Sequence, residues 1–243
     1  MYQYIDKMLA ELPTNMNGSM KTPASRHLFS VNPEARKLPK AIVQIFHHLV
    51  AKLLYLSRCA RQVIQMAIAF LYTRVQAPDE DDYTKLTRVM HYLCFTKEMT
   101  LTIEPGDNAQ WWVDSSYAVH SDMHSQSSIV MMLGEGVTYS TSCQQKINMK
   151  KSTEAELVAI DYAMGQIQWT RHFLVDQGMA VPMTTIFQDN NSTILLAENG
   201  TTSSSKCTKY TYIRYLFMTD KNKARRSKSG ILSHAKHVSG FFH

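Results

Sequence analysis

The stretch WWVDSSYAVH, residues 111–120, sets two tryptophans and a valine directly before an aspartate. Alternation along a strand sends Trp111 and Trp112 to opposite faces, so one belongs in a core and the other on a face that is exposed or covered by a neighbouring element. Packing is the expected use of the second ring, with base stacking as the alternative. Asp114 then falls at the strand's end, where sheets commonly build their sites. The same aspartate also suits the opening of a DSSY turn.

Working outward from this strand, the texture stays extended. MTLTIE (99–104), a PGDN turn (105–108), QWWVD, SIVMML (128–133), a GEG turn and VTYSTS (137–142) read as short strands separated by turn residues. Helix is expected at about 153–176, strand at TTIFQ (184–188), a short helix at NSTILLAEN (191–199) closed by Gly200, and another helix at about 206–220. Upstream of Met99 the pattern is helical instead. Ile42, Ile45, Phe46, Leu49, Val50, Leu53 and Leu54 keep one helix face apolar. A second helix is expected at about 61–75, and PDEDDY supplies an acidic first turn for a third, with Leu86, Val89, Met90 and Leu93 on its inner face.

The reading is a mixed α/β (α+β) unit with helices on both sides of a mixed sheet, preceded by a small helical subdomain. Its bounds are 1–40 as a partly disordered linker, 41–98 as the helical subdomain and 99–243 as the sheet domain. At 243 residues and 44% hydrophobic content the chain is long enough to bury two cores.

The formal net charge of +6 is concentrated toward the end: nine Lys or Arg lie between Lys206 and Lys236 against one acid, Asp220. That distribution favours a polyanionic partner. Cys59, Cys94, Cys143 and Cys207 form no C-x-x-C pair, which argues against a zinc knuckle or a disulfide framework and for reduced, intracellular thiols. No signal-peptide pattern opens the chain, and His47, His48 and Lys52 interrupt the most apolar stretch, so a cytoplasmic location without a membrane span is expected.

Two further acids complete a constellation. Asp189 ends the TTIFQ strand, although it also suits capping the helix that follows, with Asn190, Asn191 and Ser192 as rival caps. In KSTEAELVAIDYAM, a rotation of ~100° per residue puts Glu156 on the buried stripe of Ile160, Ala163, Met164 and Ile167, while Glu154 and Asp161 turn away. A carboxylate on such a stripe is costly unless something holds it. A capping box from Thr153 to Glu156 is one explanation. The other is that Asp114, Glu156 and Asp189 converge on a divalent metal, since hard oxygen ligands from separate elements suit Mg²⁺. Two ions about 3.5–4 Å apart would activate water and steady the leaving oxygen in phosphodiester hydrolysis.

VDSSYAVH, MLGEGVTYSTSCQQKINMKKSTEAELVAI, IFQDNNSTILLAENG and SSSKCTKYTYIRYLFMTD follow the order and spacing of the ribonuclease H domain of copia-type retrotransposon polyproteins, and the chain resembles that family from about Thr22 onward. HLFSVNP, FHHLVAKLLYLSRCAR and RVQAPDEDDYTKLTRVMHYL resemble the reverse transcriptase stretch between the polymerase palm and the ribonuclease domain, a thumb or connection. The resemblance implies a five-stranded mixed sheet flanked by helices. It also implies Mg²⁺-dependent cutting of the RNA strand of RNA–DNA hybrids, with two ions and Mn²⁺ as a substitute. By position it assigns catalysis and metal binding to Asp114, Glu156 and Asp189. Lys146, Lys150, Lys151, Lys206, Lys209 and Arg214 would bind backbone phosphates, ordinary solvated surface being the alternative.

Four departures matter. Ser239 and Gly240 stand where the family has Ala-Asp, so the fourth acidic ligand is missing and the domain reads as C-terminally truncated. Tyr210 replaces a usual histidine, and Ser127-Ser128 replace Thr-Gly, removing a glycine's freedom at positive φ. The palm's Y-x-D-D motif is absent, and Asp81-Asp82 fit an acidic helix start, so no polymerase site is expected and the remainder of the polyprotein would lie outside this chain. The expected function is thus a weakened ribonuclease H. The alternatives are a catalytically inactive nucleic-acid-binding remnant and, last, a scaffold using the Met-rich helical half.

Overall fold

Apolar periodicity and capping chemistry account for the first part of the chain in a computed structural model that describes residues 1–10, 18–181 and 184–194, apart from the side chains of residues 105, 107 and 108. The chain divides into two units: residues 1–101 with 119–122 and 141–144, and the remainder.

In the first unit, helix α1 (Tyr2–Ala10) buries Ile5 and Met8, so part of the segment expected as linker is helical and packed. Helix α2 (Lys40–Cys59) follows Pro39, whose fixed φ suits a helix start. A 3₁₀ turn at Gln62–Ile64 leads into α3 (Gln65–Thr73), and α4 spans Glu80–Phe95. The inner face of α4 buries Leu86, Val89, Met90 and Leu93, the four residues read as its apolar stripe. They share one core with Phe46, Leu53 and Leu56 of α2 and Ile68 and Leu71 of α3.

Both ends of α4 are closed by side chains. At its start Asp79 accepts from the Asp82 amide at 2.9 Å, Asp82 accepts from the Asp79 amide at 3.2 Å, and the Arg74 guanidinium bonds both carboxylates. Asp81 pairs with Lys85 at 2.8 Å. The Asp81-Asp82 pair therefore serves the helix, as an acidic first turn should. Just past its end the buried Arg61 donates to the carbonyls of Thr96 (2.7 Å) and Lys97 (3.1 Å).

The chain's sheet has the order β3-β2-β1-β4, with β1 at Glu104–Ser116, β2 at Gln126–Glu135, β3 at Val137–Gln144 and β4 at Thr185–Phe187; all but the last four residues of β3 belong to the second unit. Strand β1 pairs antiparallel with β2 and parallel with β4, so the sheet is mixed. The described residues hold four strands where five were expected. One helix, α5 (Ser152–Asp176), packs on β1 and β2. The helix expected at about 206–220 and the residues of NSTILLAEN beyond Ile194 lie outside the described residues.

Alternation along β1 separates the two tryptophans. Trp111 is fully buried with Val113, Ile129, Met131 and Ile186 under the Ala159, Ile160, Ala163, Met164 and Ile167 stripe of α5. Trp112 points to the opposite face, half-buried, and stacks on Phe187 of its parallel neighbour with centroids 4.8 Å apart.

Two sequence expectations are corrected. PGDN is no turn: β1 runs through it, and the extra residues are absorbed as an irregularity between Glu104↔Glu135 and Ala109↔Leu133. Proline and glycine weaken a ladder locally, and a bulge accommodates them. Ser127 and Ser128 are no turn either. They lie inside β2 opposite Ser115 and Asp114, where the backbone is extended and a glycine's freedom is irrelevant. The positive-φ glycines of the strand region are Gly134, near the end of β2, and Gly136, between β2 and β3.

Candidate metal centre

Each of the three acids arrives on a different element. Asp114 lies near the end of β1, Glu156 in the first turns of α5, and Asp189 just past β4. Because β1 and β4 run parallel and register Trp112 with Phe187, Asp114 and Asp189 each follow that pair by two residues and emerge at the same sheet end. The N-terminal part of α5 delivers Glu156 to the same place. One carboxylate oxygen from each of the three lies within 4.8 Å of the others.

The competing local explanations fail at two of the three. The backbone N-cap of α5 is Lys151, so a Thr153–Glu156 capping box does not form; Glu154 instead accepts from the Lys150 amide at 3.0 Å. After β4, Asn190 caps the next helical turn by accepting from the Thr193 amide at 3.1 Å, which leaves Asp189 out of that role. Asp114 accepts from the Ser115 amide at 2.8 Å, within the strand.

Glu156 is held by neighbours that the sequence did not single out. Gln188 donates its side-chain N–H to the Glu156 carboxylate at 2.9 Å, and the Gln188 oxygen accepts from the backbone of Asp189 (2.8 Å) and Asn190 (3.3 Å). Gln145, just past β3, donates to Ser115 Oγ (3.2 Å), Ser127 Oγ (2.9 Å) and the Ala155 carbonyl (2.9 Å). It therefore ties together the residue after Asp114, strand β2 and the residue before Glu156. Both glutamines sit beside quoted motif residues, but apolar periodicity carries no signal for a buried amide.

The electrostatics are those of crowded anions. Burial first, then the nearby charges of Asp114 and Asp189, push Glu156 from 4.5 up to about 8, against the opposing hydrogen bonds from Gln188 and the Ser115 amide. A carboxyl group so placed holds its proton at neutral pH until a cation compensates the charge. Ligands on a single Mg²⁺ lie at most ~4.2 Å apart when trans, from bond lengths of about 2.1 Å. A spread of up to 4.8 Å suits one ion after small rotations, or two ions sharing carboxylates. All donors are hard oxygens, which fits Mg²⁺ or Mn²⁺ and not a soft metal.

Lys146, Lys150 and Lys151 are exposed on the connection between β3 and α5. That connection is anchored beside the acids at both ends, by Gln145 at Ser115 and by Tyr117, whose hydroxyl donates to the Met149 carbonyl at 3.2 Å. Lys206, Lys209 and Arg214, together with Tyr210, Ser239 and Gly240, lie outside the described residues. Cys59, Cys94 and Cys143 form no disulfide among the described residues, and Cys207 lies outside them. No helix among the described residues is long and apolar enough to cross a membrane.

No family model and no curated protein matches the chain. Among solved structures, it is similar to LC11-RNase H1, isolated from compost by a metagenomic approach, at 14% identity and a TM-score of 0.38 over 54% of this chain and 86% of that one.

Proposed function

We propose that residues 99–243 form a ribonuclease H-type domain of copia-type retrotransposon origin, which hydrolyses the RNA strand of RNA–DNA hybrids with Mg²⁺ or Mn²⁺, and that residues 41–98 are a thumb- or connection-like subdomain. The observation that carries this reading is the meeting of Asp114, Glu156 and Asp189, distant in sequence, with carboxylate oxygens within 4.8 Å. Asp114, Glu156 and Asp189 would hold the divalent ions, which when bound would supply Lewis-acid activation of water and charge neutralisation at the leaving oxygen. The chain's own part is to hold them: Asp114 and Asp189 from the ends of parallel strands, and Glu156 from α5 under the control of Gln188. Lys146, Lys150 and Lys151 take the substrate's phosphates beside the acids, and Lys206, Lys209 and Arg214 extend the same contact.

A second reading keeps the nucleic-acid contact without the cut. Gly240 at the position of the family's fourth acid favours it, because glycine offers no side-chain carboxylate. The decisive experiment is cleavage of an end-labelled RNA–DNA hybrid by the full chain in Mg²⁺ and in Mn²⁺, beside Glu156→Gln, Asp114→Asn and Gly240→Asp. The nuclease reading expects product from the parent chain, more from Gly240→Asp and none from the other two. Hybrid binding that weakens with salt, with no product from any of the proteins, selects the remnant. Failure to bind hybrid or divalent metal rejects both.

A further inference from the structure

The backbone after β4 is folded by its own side chains. Gln188 turns its amide oxygen back onto the N–H groups of Asp189 (2.8 Å) and Asn190 (3.3 Å), and Asn190 in turn accepts from the Thr193 amide at 3.1 Å. Thr193 is fully buried, and its hydroxyl reaches the Thr153 carbonyl in the first turn of α5 at 3.5 Å. Three side chains therefore fix the turn that carries Asp189 and tie it to the helix that carries Glu156.

Within this turn it is Gln188 that grips a candidate ligand. Its amide nitrogen donates to Glu156 Oε2 at 2.9 Å, and both side chains are buried, 4% and 5% exposed. The Ser115 backbone N–H reaches the same carboxylate from β1. Donors from two elements restrain the rotation of the carboxylate. Burial strengthens that grip, because water does not replace a bond that is given up there. An apolar side chain of similar length would fill the space at position 188, so an amide there needs a polar use.

We propose that Gln188 determines the ion specificity of the metal centre: by holding Glu156 to one-oxygen ligation beside a fixed Asp189, it makes the centre take Mg²⁺ or Mn²⁺ and discriminate against Ca²⁺. This rests on the metal-centre reading above and adds to it the side chain that sets the choice of ion. Mg²⁺ demands near-octahedral geometry with oxygens at about 2.0–2.1 Å and keeps several waters, so single oxygens from a few fixed carboxylates suit it. Ca²⁺ takes about 6–8 oxygens at about 2.3–2.6 Å in flexible geometry, and often draws both oxygens of one carboxylate. Turning Glu156 to offer both would pull Oε2 from Gln188 and strand a buried amide. Ca²⁺ binding thus carries a cost at Gln188 that Mg²⁺ binding does not. Gln188 acts through Glu156 and is a positioning residue, not a ligand.

The test is calorimetric titration of the full chain with Mn²⁺ and with Ca²⁺, beside Gln188→Met, which keeps the side chain's length and loses both hydrogen-bonding groups. The expected result is a parent that prefers Mn²⁺ and a variant whose Mn²⁺ affinity falls by about 10–100-fold while its Ca²⁺ affinity holds or rises, so that the preference shrinks by about tenfold or more. A merely structural role lowers both affinities together and leaves their ratio unchanged, and that outcome overturns the proposal. A parent that binds the two ions alike also overturns it and leaves the metal centre standing. A parent that binds neither ion overturns the centre and this inference together. Where Gln188→Met loses its circular dichroism, nuclear magnetic resonance of the parent decides. The Gln188 side-chain N–H cross-peaks should keep a hydrogen-bonded position on saturation with Mg²⁺ and leave it on saturation with Ca²⁺; identical positions in the two ions reject the proposal.

Discussion

Gln188 donates to the Glu156 carboxylate at 2.9 Å while accepting from the Asp189 amide at 2.8 Å, so one side chain fixes two of the three acids relative to each other. Groups that orient metal ligands are worth about 10–100-fold in affinity. Gln188→Leu keeps the volume but neither hydrogen bond. Its Mn²⁺ affinity, measured by calorimetry, should fall by about that factor, while Gln188→Glu should fold less well at high pH by adding an anion to the cluster.

Metal binding should be linked to protons at Glu156. Burial and the neighbouring acids raise its folded value to about 8, so at pH 7 the group is protonated and a cation must displace that proton. Affinity should rise as pH increases toward about 8 and then level, with close to one proton released per binding event at pH 7. Buffers of different ionisation enthalpy measure that release directly. Glu156→Gln should abolish both the release and the slope.

The same shift sets the stability of the metal-free chain. A carboxyl whose folded value exceeds its unfolded value of 4.5 binds more protons when folded. Stability is therefore greatest below about pH 4.5 as far as this group is concerned, falls as pH rises to about 8, and stays low above it. The loss is on the order of a few kcal/mol. Urea midpoints should drop across that window without metal, hold steady with saturating Mn²⁺, and lose this pH dependence in Glu156→Gln.

Gln145 makes a separate prediction, because it joins Ser115, Ser127 and the Ala155 carbonyl inside the second unit. Gln145→Ala leaves a buried carbonyl and two hydroxyls with fewer partners, at about 1–3 kcal/mol. The urea midpoint of that unit should fall accordingly. Metal affinity should fall as well, since the bonds position the neighbours of Asp114 and Glu156.

These two glutamines mark where the sequence stopped being legible. The helices α2 and α4, the split of Trp111 and Trp112 between a core face and the opposite one, and the buried placement of Glu156 all follow from periodicity, because 3.6-residue and two-residue repeats report which side chains share a face; that Trp111 is the core ring is shown by its packing alone. The three acids follow from strand ends and one helix face. The amides that hold them do not, since a buried glutamine is defined by partners far away in the chain. The continuous β1 was hidden for a different reason: proline and glycine at 105 and 106 are ordinary turn signals, and only the pairing of Ala109 with Leu133 shows that the strand carries through them. The Thr153–Glu156 capping motif misled in the same local way, as the N-cap is Lys151, two residues earlier, and Glu154 accepts from the Lys150 amide.

The first unit has its own critical contact. Arg74 bonds Asp82 through Nε at 3.0 Å and Asp79 through Nη2 at 3.0 Å, and both carboxylates are almost wholly buried. Lys37 also approaches Asp79, but at 3.7 Å and from an exposed position, where an ion pair contributes little. Removing Arg74 strands two buried acids at the start of α4, and breaking such a pair costs about 3–5 kcal/mol. Arg74→Met should therefore lower the thermal transition of the helical unit sharply. Arg74→Lys should recover part of the loss, because one ammonium cannot serve both acids in the guanidinium's geometry. The triple change Arg74→Met, Asp79→Ser, Asp82→Gln should be more stable than Arg74→Met alone: serine and glutamine keep the capping bonds and remove the unpaired charges. A triple variant no more stable than the single one would place the loss in packing around Arg74 instead of in its charge.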